Sequence, residues 1–309
     1  MPISTEAIGL VGVSKAYPGV HALNDINFSV QTGRVHGFLG PNGAGKSTTM
    51  NIITGLLHES SGSIRLMGQE CPPSQRKKLI GYLHEQPPIY PQMIVRKYLE
   101  FVAALYGKKD QEAKRSVDYA IDACGLSQVV ERMIGNLSKG YKQRVGIAQA
   151  LVLGSKILIL DEPTVGLDPV SVTEIRNLIQ NLKGEHTVLL SSHLLHEISL
   201  VCDDITMINH GRLVATGTLD EIQKRFSSAE RYIVRADGLS SETIQSLEKD
   251  FGINCLQESK SWVLQTSRKI EAKELLGFLV NQKSGVTEFY QDETQLEDVF
   301  KQAMNEGGQ

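Results

Sequence analysis

A glycine-rich segment at residues 40–47 carries the residue types that bind phosphate. It fits the pattern Gly-x-x-x-x-Gly-Lys-Ser, in which glycines let successive backbone N–H groups turn toward an anion. Lys46 supplies a positive charge for the outer phosphates, and the Ser47 hydroxyl can ligate Mg²⁺. The predicted phosphate-binding residues are Gly40, Pro41, Asn42, Gly43, Ala44, Gly45, Lys46, Ser47 and Thr48.

The segments on either side of this loop predict the frame that it needs. Residues 34–39 indicate a buried strand that enters the loop. Residues 47–53 indicate a helix that leaves it, and the N-terminus of such a helix favours anions. The combination of strand, glycine-rich loop and helix predicts a nucleotide-binding site.

Two adjacent acids follow another apolar strand. Residues 156–160 are apolar enough to be buried on both faces, as in a parallel sheet, and Asp161 and Glu162 stand at the carboxyl end. Such strand ends face the same crevice as the phosphate loop. Asp161 is then placed to hold Mg²⁺ through water, and Glu162 to orient or deprotonate an attacking water. The alternative is two solvated acids with no role in chemistry.

The composition of the whole chain excludes several classes of protein. The chain has 309 residues, of which 41% are hydrophobic and 22% charged, as in an ordinary globular protein. Its net charge of −3 gives no sign of a nucleic-acid partner, so none is expected. No apolar run is long enough to span a bilayer, and the N-terminal residues do not resemble a signal peptide. The four scattered cysteines predict reduced, inert thiols of a cytosolic protein.

Strands and helices alternate along the first 226 residues, which predicts an α/β fold. Strands are predicted at residues 8–13, 26–30, 62–68, 80–83 and 187–191. The apolar spacing from Val95 to Tyr106 predicts a helix, which opens a largely helical subdomain at about residues 87–153. Further helices are predicted at residues 171–183 and 194–202.

The pattern changes after Phe226, where residues 226–229 read as a linker. Beyond it, strands and helices follow in the order βαββαβ, with a last helix at residues 294–304, which predicts a small ferredoxin-like α+β domain. The sequence therefore predicts two domains, at residues 1–226 and 231–309. The second carries no nucleotide or metal signature.

Further motifs resemble those of the ATP-binding-cassette (ABC) ATPases. Residues 137–144, Leu-Ser-Lys-Gly-Tyr-Lys-Gln-Arg, resemble the signature motif of that family, and residues 165–169, Val-Gly-Leu-Asp-Pro, resemble its D-loop. Gln86 resembles the Q-loop glutamine, and His193 resembles the switch histidine. Tyr17 resembles the aromatic residue that stacks on adenine.

The resemblance covers about residues 6–225, and it implies a P-loop NTPase fold that hydrolyses ATP. It implies catalytic roles for Glu162, His193 and Gln86. It implies Mg²⁺ ligation by Ser47, Gln86 and Asp161. It also implies nucleotide contacts outside the phosphate loop, from Tyr17, Ser138, Gly140 and Asp168.

An assembly is implied as well. In ABC ATPases the signature motif of one chain binds the γ-phosphate held by a partner, so ATP closes a homodimer or a pair of related subunits. The form Leu-Ser-Lys-Gly-Tyr, the Pro-rich loop after Gln86 and residues 296–300 resemble the subfamily that powers exporters of drugs, polysaccharides or gliding-motility components. Separate integral membrane permease subunits would then dock at residues 86–92 and 94–135. This chain is accordingly expected to be cytoplasmic and peripheral on the cytoplasmic face of the membrane.

Two other functions stay open at this point. One is a soluble ABC ATPase that acts on ribosomes, DNA or Fe–S assembly, although the chain has neither a second cassette nor a long coiled-coil insertion. The other is an ATP sensor without turnover, against which Glu162 and His193 argue. For the C-terminal domain, a role in tuning dimer closure is as well supported as passive stabilisation.

The signature motif departs from the family pattern at two positions. Lys139 stands where the family usually has Gly, and Tyr141 stands where it usually has Gln. Small residues there let backbone N–H groups approach a phosphate. Lys139 must therefore either point its side chain aside or add a cation at the phosphate.

Overall fold

The computed structural model describes residues 6–226, 230–236, 238–258, 261–266, 270–282 and 284–292. Backbone contacts divide the chain into two units, with the boundary between Leu219 and Asp220. The domain division that the sequence predicts near residues 226–231 stays a prediction. Most of the predicted linker, at residues 227–229, lies outside the described residues.

The first unit contains two sheets and a set of helices. Its strands are β1 (Glu6–Tyr17), β2 (Val20–Gln31), β3 (Val35–Leu39), β4 (Ser61–Leu66), β5 (Gln69–Glu70), β6 (Ile80–Leu83), β7 (Ile157–Leu160), β8 (Thr187–Ser192), β9 (Asp204–Asn209) and β10 (Arg212–Gly217). Its helices are α1 (Lys46–Thr54), α2 (Pro73–Leu79), α3 (Val95–Leu105), α4 (Asp110–Ala123), α5 (Lys139–Val152), α6 (Pro169–Leu182) and α7 (Leu195–Ser199), and α8 (Leu219–Phe226) begins at the boundary.

The central sheet has the strand order β10-β9-β3-β8-β7-β6. Its strands are parallel except for β10, which runs antiparallel to β9. β3, β7 and β8 are buried along their whole length, which explains why their sequences are apolar runs without alternation. Because parallel strands end at the same edge, the segments that follow β3, β7 and β8 meet there.

A second sheet, in the antiparallel order β2-β1-β4-β5, packs against the first through a shared apolar core. The rings of Phe28 in β2 and Phe38 in β3 stack with centroids 5.3 Å apart. Met50, Ile52 and Ile53 anchor α1 in the same core. Each such buried side chain contributes about 1.5–3 kcal/mol, so the start of α1 is held firmly where β3 ends.

The region predicted to be helical contains α3, α4 and α5. Residues 124–138, between α4 and α5, instead form turns and two short 3₁₀ segments. Among the residues that the structure describes, no helix has both the length and the apolar composition needed to cross a membrane.

The structure differs from the sequence prediction mainly after β8. The helix predicted at residues 194–202 is limited to α7, and the β9–β10 hairpin and α2 were not predicted. The helix ends early because the N–H of Asp203 bonds to the carbonyl of Val35 at 2.8 Å, which draws the chain into the sheet.

The second unit has the order β11 (Glu230–Ala236), α9 (Ser241–Ser246), β12 (Ile253–Glu258), β13 (Ser261–Thr266), α10 (Ala272–Asn281) and β14 (Val286–Asp292). Its antiparallel sheet runs β12-β13-β11-β14, which is the ferredoxin-like arrangement predicted from the sequence. Tyr232, Val234, Leu264 and Leu275 are central to its apolar core. The predicted helix at residues 294–304 lies outside the described residues, as do residues 296–300.

Candidate nucleotide site

The phosphate loop passes from β3 to α1 through glycines that the packing requires. Gly43 and Gly45 have φ values of 81° and 109°, a region that other residues rarely adopt. A β-carbon on Gly45 would lie 2.7 Å from Cδ2 of Leu23, and one on Gly40 would collide with the carbonyl of Ile208. Nothing lies within 4 Å of such a carbon on Gly43. The middle of the loop therefore faces open space that a ligand can enter.

Lys46 is buried at the first turn of α1, where its own chain holds it. Its Nζ donates to the carbonyls of Gly40 at 2.8 Å and Pro41 at 3.3 Å. It also forms an ion pair with Glu162, with Nζ 3.2 Å from Oε1. The two side chains are only 7% and 9% exposed, so water screens this attraction weakly. A phosphate chain, which carries more charge than one carboxylate, can compete for the same ammonium.

Glu162 lies between Lys46 and His193. Its Oε2 is 2.9 Å from Nδ1 of His193, and its backbone N–H donates to Oγ of Ser191 at 2.8 Å. Its φ of 47° is in the left-handed region, which is costly for a residue with a side chain and which concentrates at functional sites. The ends of β7 and β8 thus fix one carboxylate between an ammonium and an imidazole.

Asp161 lies just behind this cluster and is 4% exposed. Its Oδ1 accepts a hydrogen bond of 2.6 Å from Oγ of Ser191. Burial, followed by the charge and hydrogen bond of Asp161, raises the pKa of Tyr82, so this hydroxyl keeps its proton at neutral pH. Burial lowers the pKa of the neighbouring His84, whose ring centroid is 4.1 Å from that of Tyr82.

A cavity of about 610 Å³ opens between the phosphate loop, β2, β7, β8 and the β9–β10 turn. This volume is in the range of small-ligand pockets. The residues that line the cavity are Val20, His21, Ala22, Asn42, Gly43, Gly45, Lys46, Ser47, Thr48, Glu85, Glu162, Val165, His193, His210 and Gly211.

Most of the predicted phosphate-binding residues face this cavity. Asn42, Gly43, Gly45, Lys46, Ser47 and Thr48 line it, together with Glu162 and His193. Gly40, Pro41 and Ala44 shape the loop without lining the cavity, and Asp161 reaches the cluster through Ser191.

Two predicted residues lie outside the cavity wall. Gln86 is exposed and does not line the cavity, whereas its neighbour Glu85 does. Nothing in the sequence around the two following prolines distinguishes these two neighbours. Tyr17 is 45% exposed at the end of the β1–β2 hairpin, with Nζ of Lys15 5.1 Å from its ring centroid. The adjacent residues of β2, from Val20 onward, line the cavity instead.

Ser138 and Asp168 are exposed outside the cavity wall, where α5 and α6 begin, and Gly140 is buried between these two helix starts. Ser138 caps α5 and accepts a bond from the N–H of Tyr141 at 3.3 Å. Asp168 caps α6, accepting from the N–H and Oγ of Ser171 at 3.0 and 2.7 Å. These bonds from Ser171 hold the pKa of Asp168 below its usual value. A β-carbon on Gly140 would lie 2.5 Å from Oγ of Ser171, so the two helix starts are in close contact.

The side chain of Lys139 turns toward the residues that resemble the D-loop. A β-carbon on Gly166 would collide with Nζ of Lys139. Gly166 has φ 67°, so glycine suits this position for both reasons. The structure thus places the end of this side chain beside Gly166, and its effect on a phosphate stays a prediction.

Known proteins resemble both units of this chain. Residues 23–165 match the ABC transporter family, and residues 217–304 match the C-terminal domain of the DrrA1-3-like ATP-binding proteins. The chain is 31% identical over 300 residues to the bacitracin transport ATP-binding protein BcrA of Bacillus licheniformis, across 96% of each chain. It is 37% identical over 203 residues to the lantibiotic transport ATP-binding protein SrtF of Streptococcus pyogenes, across 65% of this chain and 86% of that one.

A solved structure agrees with these relatives. That of cbiO1 from Clostridium perfringens, described as part of the ABC transporter complex cbiONQ, has a TM-score of 0.67 and 27% identity. The match covers 80% of this chain and 96% of that chain. The fold, the resemblance and the ATPase activity predicted from the sequence are thereby confirmed, and the non-transport alternative finds no support. The chain belongs to the ABC transporter family, as an ATP-hydrolysing, nucleotide-binding subunit that powers an ABC-type exporter.

Proposed function

We propose that the cavity binds the phosphates of ATP at Lys46 and that Glu162 is the general base for hydrolysis. The observation that carries this proposal is the chain of contacts from the buried Lys46 through the buried Glu162 to the half-buried His193. It brings a phosphate-binding cation, a carboxylate and an imidazole to one wall of a cavity of nucleotide size.

Phosphate binding and base activation are coupled through one ion pair. When the triphosphate reaches Lys46, the ammonium exchanges Glu162 for phosphate oxygens. The freed carboxylate keeps its bond to His193, which continues to orient it. Glu162 then accepts a proton from the water that attacks the γ-phosphorus, while the bond from that phosphorus to the bridging oxygen breaks and ADP leaves with the electron pair.

The oxygen donors near the loop suit Mg²⁺, which prefers hard oxygen ligands in an open site. The Ser47 hydroxyl and the Glu85 carboxylate line the cavity, and Asp161 adjoins Glu162 in sequence. We propose that these three, together with the predicted ligand Gln86, hold the ion, directly or through water. When bound, Mg²⁺ neutralises charge on the β- and γ-phosphate oxygens.

A second chain is proposed to complete the site. Ser138 and Asp168 are exposed and lie outside the cavity of their own chain. In a homodimer, or a pair with a related subunit, Ser138, Gly140 and the start of α5 would bind the γ-phosphate held by the partner. ATP would then close the pair and hydrolysis would release it. Tyr17 is proposed to stack on the adenine.

The permease subunits are proposed to bind the helical region, which would hold this chain on the cytoplasmic face of the membrane. Tyr90, Phe101, Leu105 and Tyr106 are exposed there, with fractions of 52%, 39%, 70% and 42%. The rings of Tyr90 and Phe101 lie edge to face, 5.8 Å apart. Exposed apolar groups of this density are typical of a protein interface.

The test of the proposed site compares two lysine variants. Lys46→Ala removes the phosphate-binding cation, whereas Lys97→Ala removes an exposed lysine that pairs with Glu100 across a turn of α3. We expect Lys46→Ala to lose at least about tenfold in ATP affinity, because a charge-assisted bond is lost, and Lys97→Ala to bind normally. Equal affinity in both variants, measured by calorimetry, would overturn the proposed site.

A further inference from the structure

Two histidines line the cavity from elements that carry no recognised motif. His21 belongs to β2, and His210 lies in the turn between β9 and β10. Both are exposed, and both face the same cavity as the phosphate loop. Neither belongs to the Lys46–Glu162 cluster, so hydrolysis does not account for them.

His210 is held on rigid backbone beside the phosphate loop. It forms a two-residue turn with Gly211, and their φ values of 45° and 72° fit the type I′ hairpin turn. The N–H of Gly211 donates to the carbonyl of Ala44 at 2.9 Å, and the N–H of Asn24 donates to the carbonyl of Gly211 at 2.8 Å. The turn is thus tied both to the phosphate loop and to β2.

His21 lies near the start of β2, where it pairs with Ala16 across the β1–β2 hairpin. The register shifts between this pair and the pair of Lys15 with Leu23, so the cavity lining rather than strand alternation places His21. Leu23 packs under the phosphate loop, because a β-carbon on Gly45 would lie 2.7 Å from its Cδ2. His21 therefore lies along the loop, toward the hairpin end where Tyr17 pairs with Val20.

The remaining wall of the cavity indicates what these imidazoles contact. Phosphates at Lys46 occupy the side formed by β7 and β8, so the nucleoside must extend along the other lining residues. These are Val20, His21, Ala22, His210 and Gly211. Of this set, only the two histidines have polar side chains, and a neutral imidazole offers one donor and one acceptor.

We propose that His210 and His21 bind the ribose and base of the nucleotide and set its affinity. This inference rests on the proposed ATP site and adds contacts that hydrolysis does not use. Because the two histidines are assigned to nucleotide binding, their loss should raise KM and leave kcat nearly unchanged.

The experiment separates the nucleoside from the phosphates with two ligands. His210→Asn removes the imidazole and keeps the turn, since Asn-Gly is a favoured type I′ pair. His21→Thr keeps a strand former in β2. His58→Asn is the matched control, because His58 is exposed and does not line the cavity. Calorimetry on the full chain measures the affinity of each variant for ADP and for tripolyphosphate.

The expected pattern is specific to the nucleoside half. His210→Asn and His21→Thr should each weaken ADP binding about three- to tenfold, the effect of one hydrogen bond. Their affinity for tripolyphosphate should equal that of the wild type. The control His58→Asn should bind both ligands as the wild type does. Normal ADP affinity in both histidine variants would overturn the inference, and so would an equal loss for tripolyphosphate, which would assign them to phosphate. A wild-type chain that binds neither ligand would overturn the ATP site itself and this inference with it.

Discussion

The two surfaces that carry predicted site residues differ in how their charges are balanced. On the catalytic surface, defined by Lys46, Glu162 and His193, the charges of Lys46 and Glu162 are buried and paired with each other, and the half-buried His193 adjoins Glu162. On the signature surface, defined by Ser138 and Asp168, the side chains are exposed and cap the first turns of α5 and α6. The first surface holds its own counter-charge, whereas the side chains that define the second are held by helix capping.

This difference separates chemistry from control. Under the proposed mechanism, Lys46 stays paired with Glu162 until phosphate replaces that carboxylate, so the groups for proton transfer lie in one chain. The signature surface would contribute the starts of α5 and α6 to a ligand that the other chain of the proposed pair holds. A variant of the first surface should therefore fail in the chemical step, and a variant of the second should fail in assembly.

Glu162→Gln gives the largest expected effect. The amide keeps the size of the side chain but cannot accept a proton, and loss of a general base costs about 100- to 10,000-fold in rate. It also removes the ion pair with Lys46, so ATP should bind at least as well as in the wild type. The rate of phosphate release measures hydrolysis, and calorimetry with ATP measures the affinity.

Glu100→Gln is the matched control, because Glu100 pairs with Lys97 at the surface of α3. It should hydrolyse ATP at the wild-type rate. Turnover within about threefold of wild type in Glu162→Gln would contradict the assignment of the base, since a general base contributes far more than that.

Acid should next separate the core beneath the phosphate loop from the signature surface. His36 lies in β3 beneath the phosphate loop, and burial lowers its pKa to about 4, from 6.5 when exposed. A group whose pKa is depressed by folding stabilises the protein above its unfolded pKa. This stability is lost as pH falls from about 6.5 to about 4, to a total of about 3 kcal/mol. Asp168, whose pKa is held low by Ser171, stays ionised throughout that range.

Urea unfolding at several pH values measures this effect. His36→Phe keeps a ring beside Phe28 and leaves Thr206 bonded to Thr216, so its stability should fall less between pH 7 and pH 4 than that of the wild type. Asp168→Asn should follow the wild-type slope between pH 7 and pH 5. If the free energy of unfolding falls equally with pH in the wild type and in His36→Phe, then His36 is not the cause of the loss in acid.

Gly140→Ala tests the signature surface alone. Its β-carbon would lie 2.5 Å from Oγ and 2.9 Å from Cβ of Ser171, so the starts of α5 and α6 must move apart. We expect a loss of about tenfold in turnover, the effect of about 1.4 kcal/mol, with ATP affinity of the single chain preserved. Ser171→Gly removes both clashing atoms, so the double variant should recover much of the activity. If the double variant does not regain turnover, Gly140 has a role other than this packing.

Assembly is a finer test of the same surface. Glu162→Gln should form a dimer when Mg-ATP is added, because the bridge is no longer hydrolysed. Ser138→Ala in that background should weaken the dimer about three- to tenfold, the effect of one hydrogen bond. Light scattering after size-exclusion chromatography checks this. A dimer that forms equally with and without ATP, or that is unaffected by Ser138→Ala, argues against the shared site.

The sequence was sufficient for groups that lie along one segment of chain. The phosphate loop, the acids after β7 and the ferredoxin-like strand order all follow from local patterns, and the comparisons confirm the fold. It was not sufficient where the backbone decides which neighbour faces the cavity. Gln86 and Glu85 are adjacent polar residues after the same strand, and Glu85 lines the cavity, while the role of Gln86 stays a prediction.

Contacts between residues far apart along the chain could not be predicted from the sequence either. His210 reaches the cavity because Gly211 bonds to Ala44, a residue more than a hundred and fifty positions away along the chain. The β9–β10 hairpin that carries it was not predicted, since the short helix before it ends where Asp203 joins the sheet. Lys139 is a third case, because its direction depends on how closely Gly166 approaches α5.

Removal of the second unit is expected to have the smallest effect on nucleotide binding. All the residues that line the cavity precede Leu219, and the core of the second unit, with Tyr232, Leu264 and Leu275, is made of its own residues. A chain that ends at Phe226 should therefore bind ATP within about threefold of the full chain, a difference below 1 kcal/mol. Circular dichroism must first establish that the shortened chain folds. If it folds and cannot bind ATP, the predicted division is wrong. If it binds ATP but dimerises or turns over differently, the second unit tunes closure of the pair rather than merely stabilising the chain.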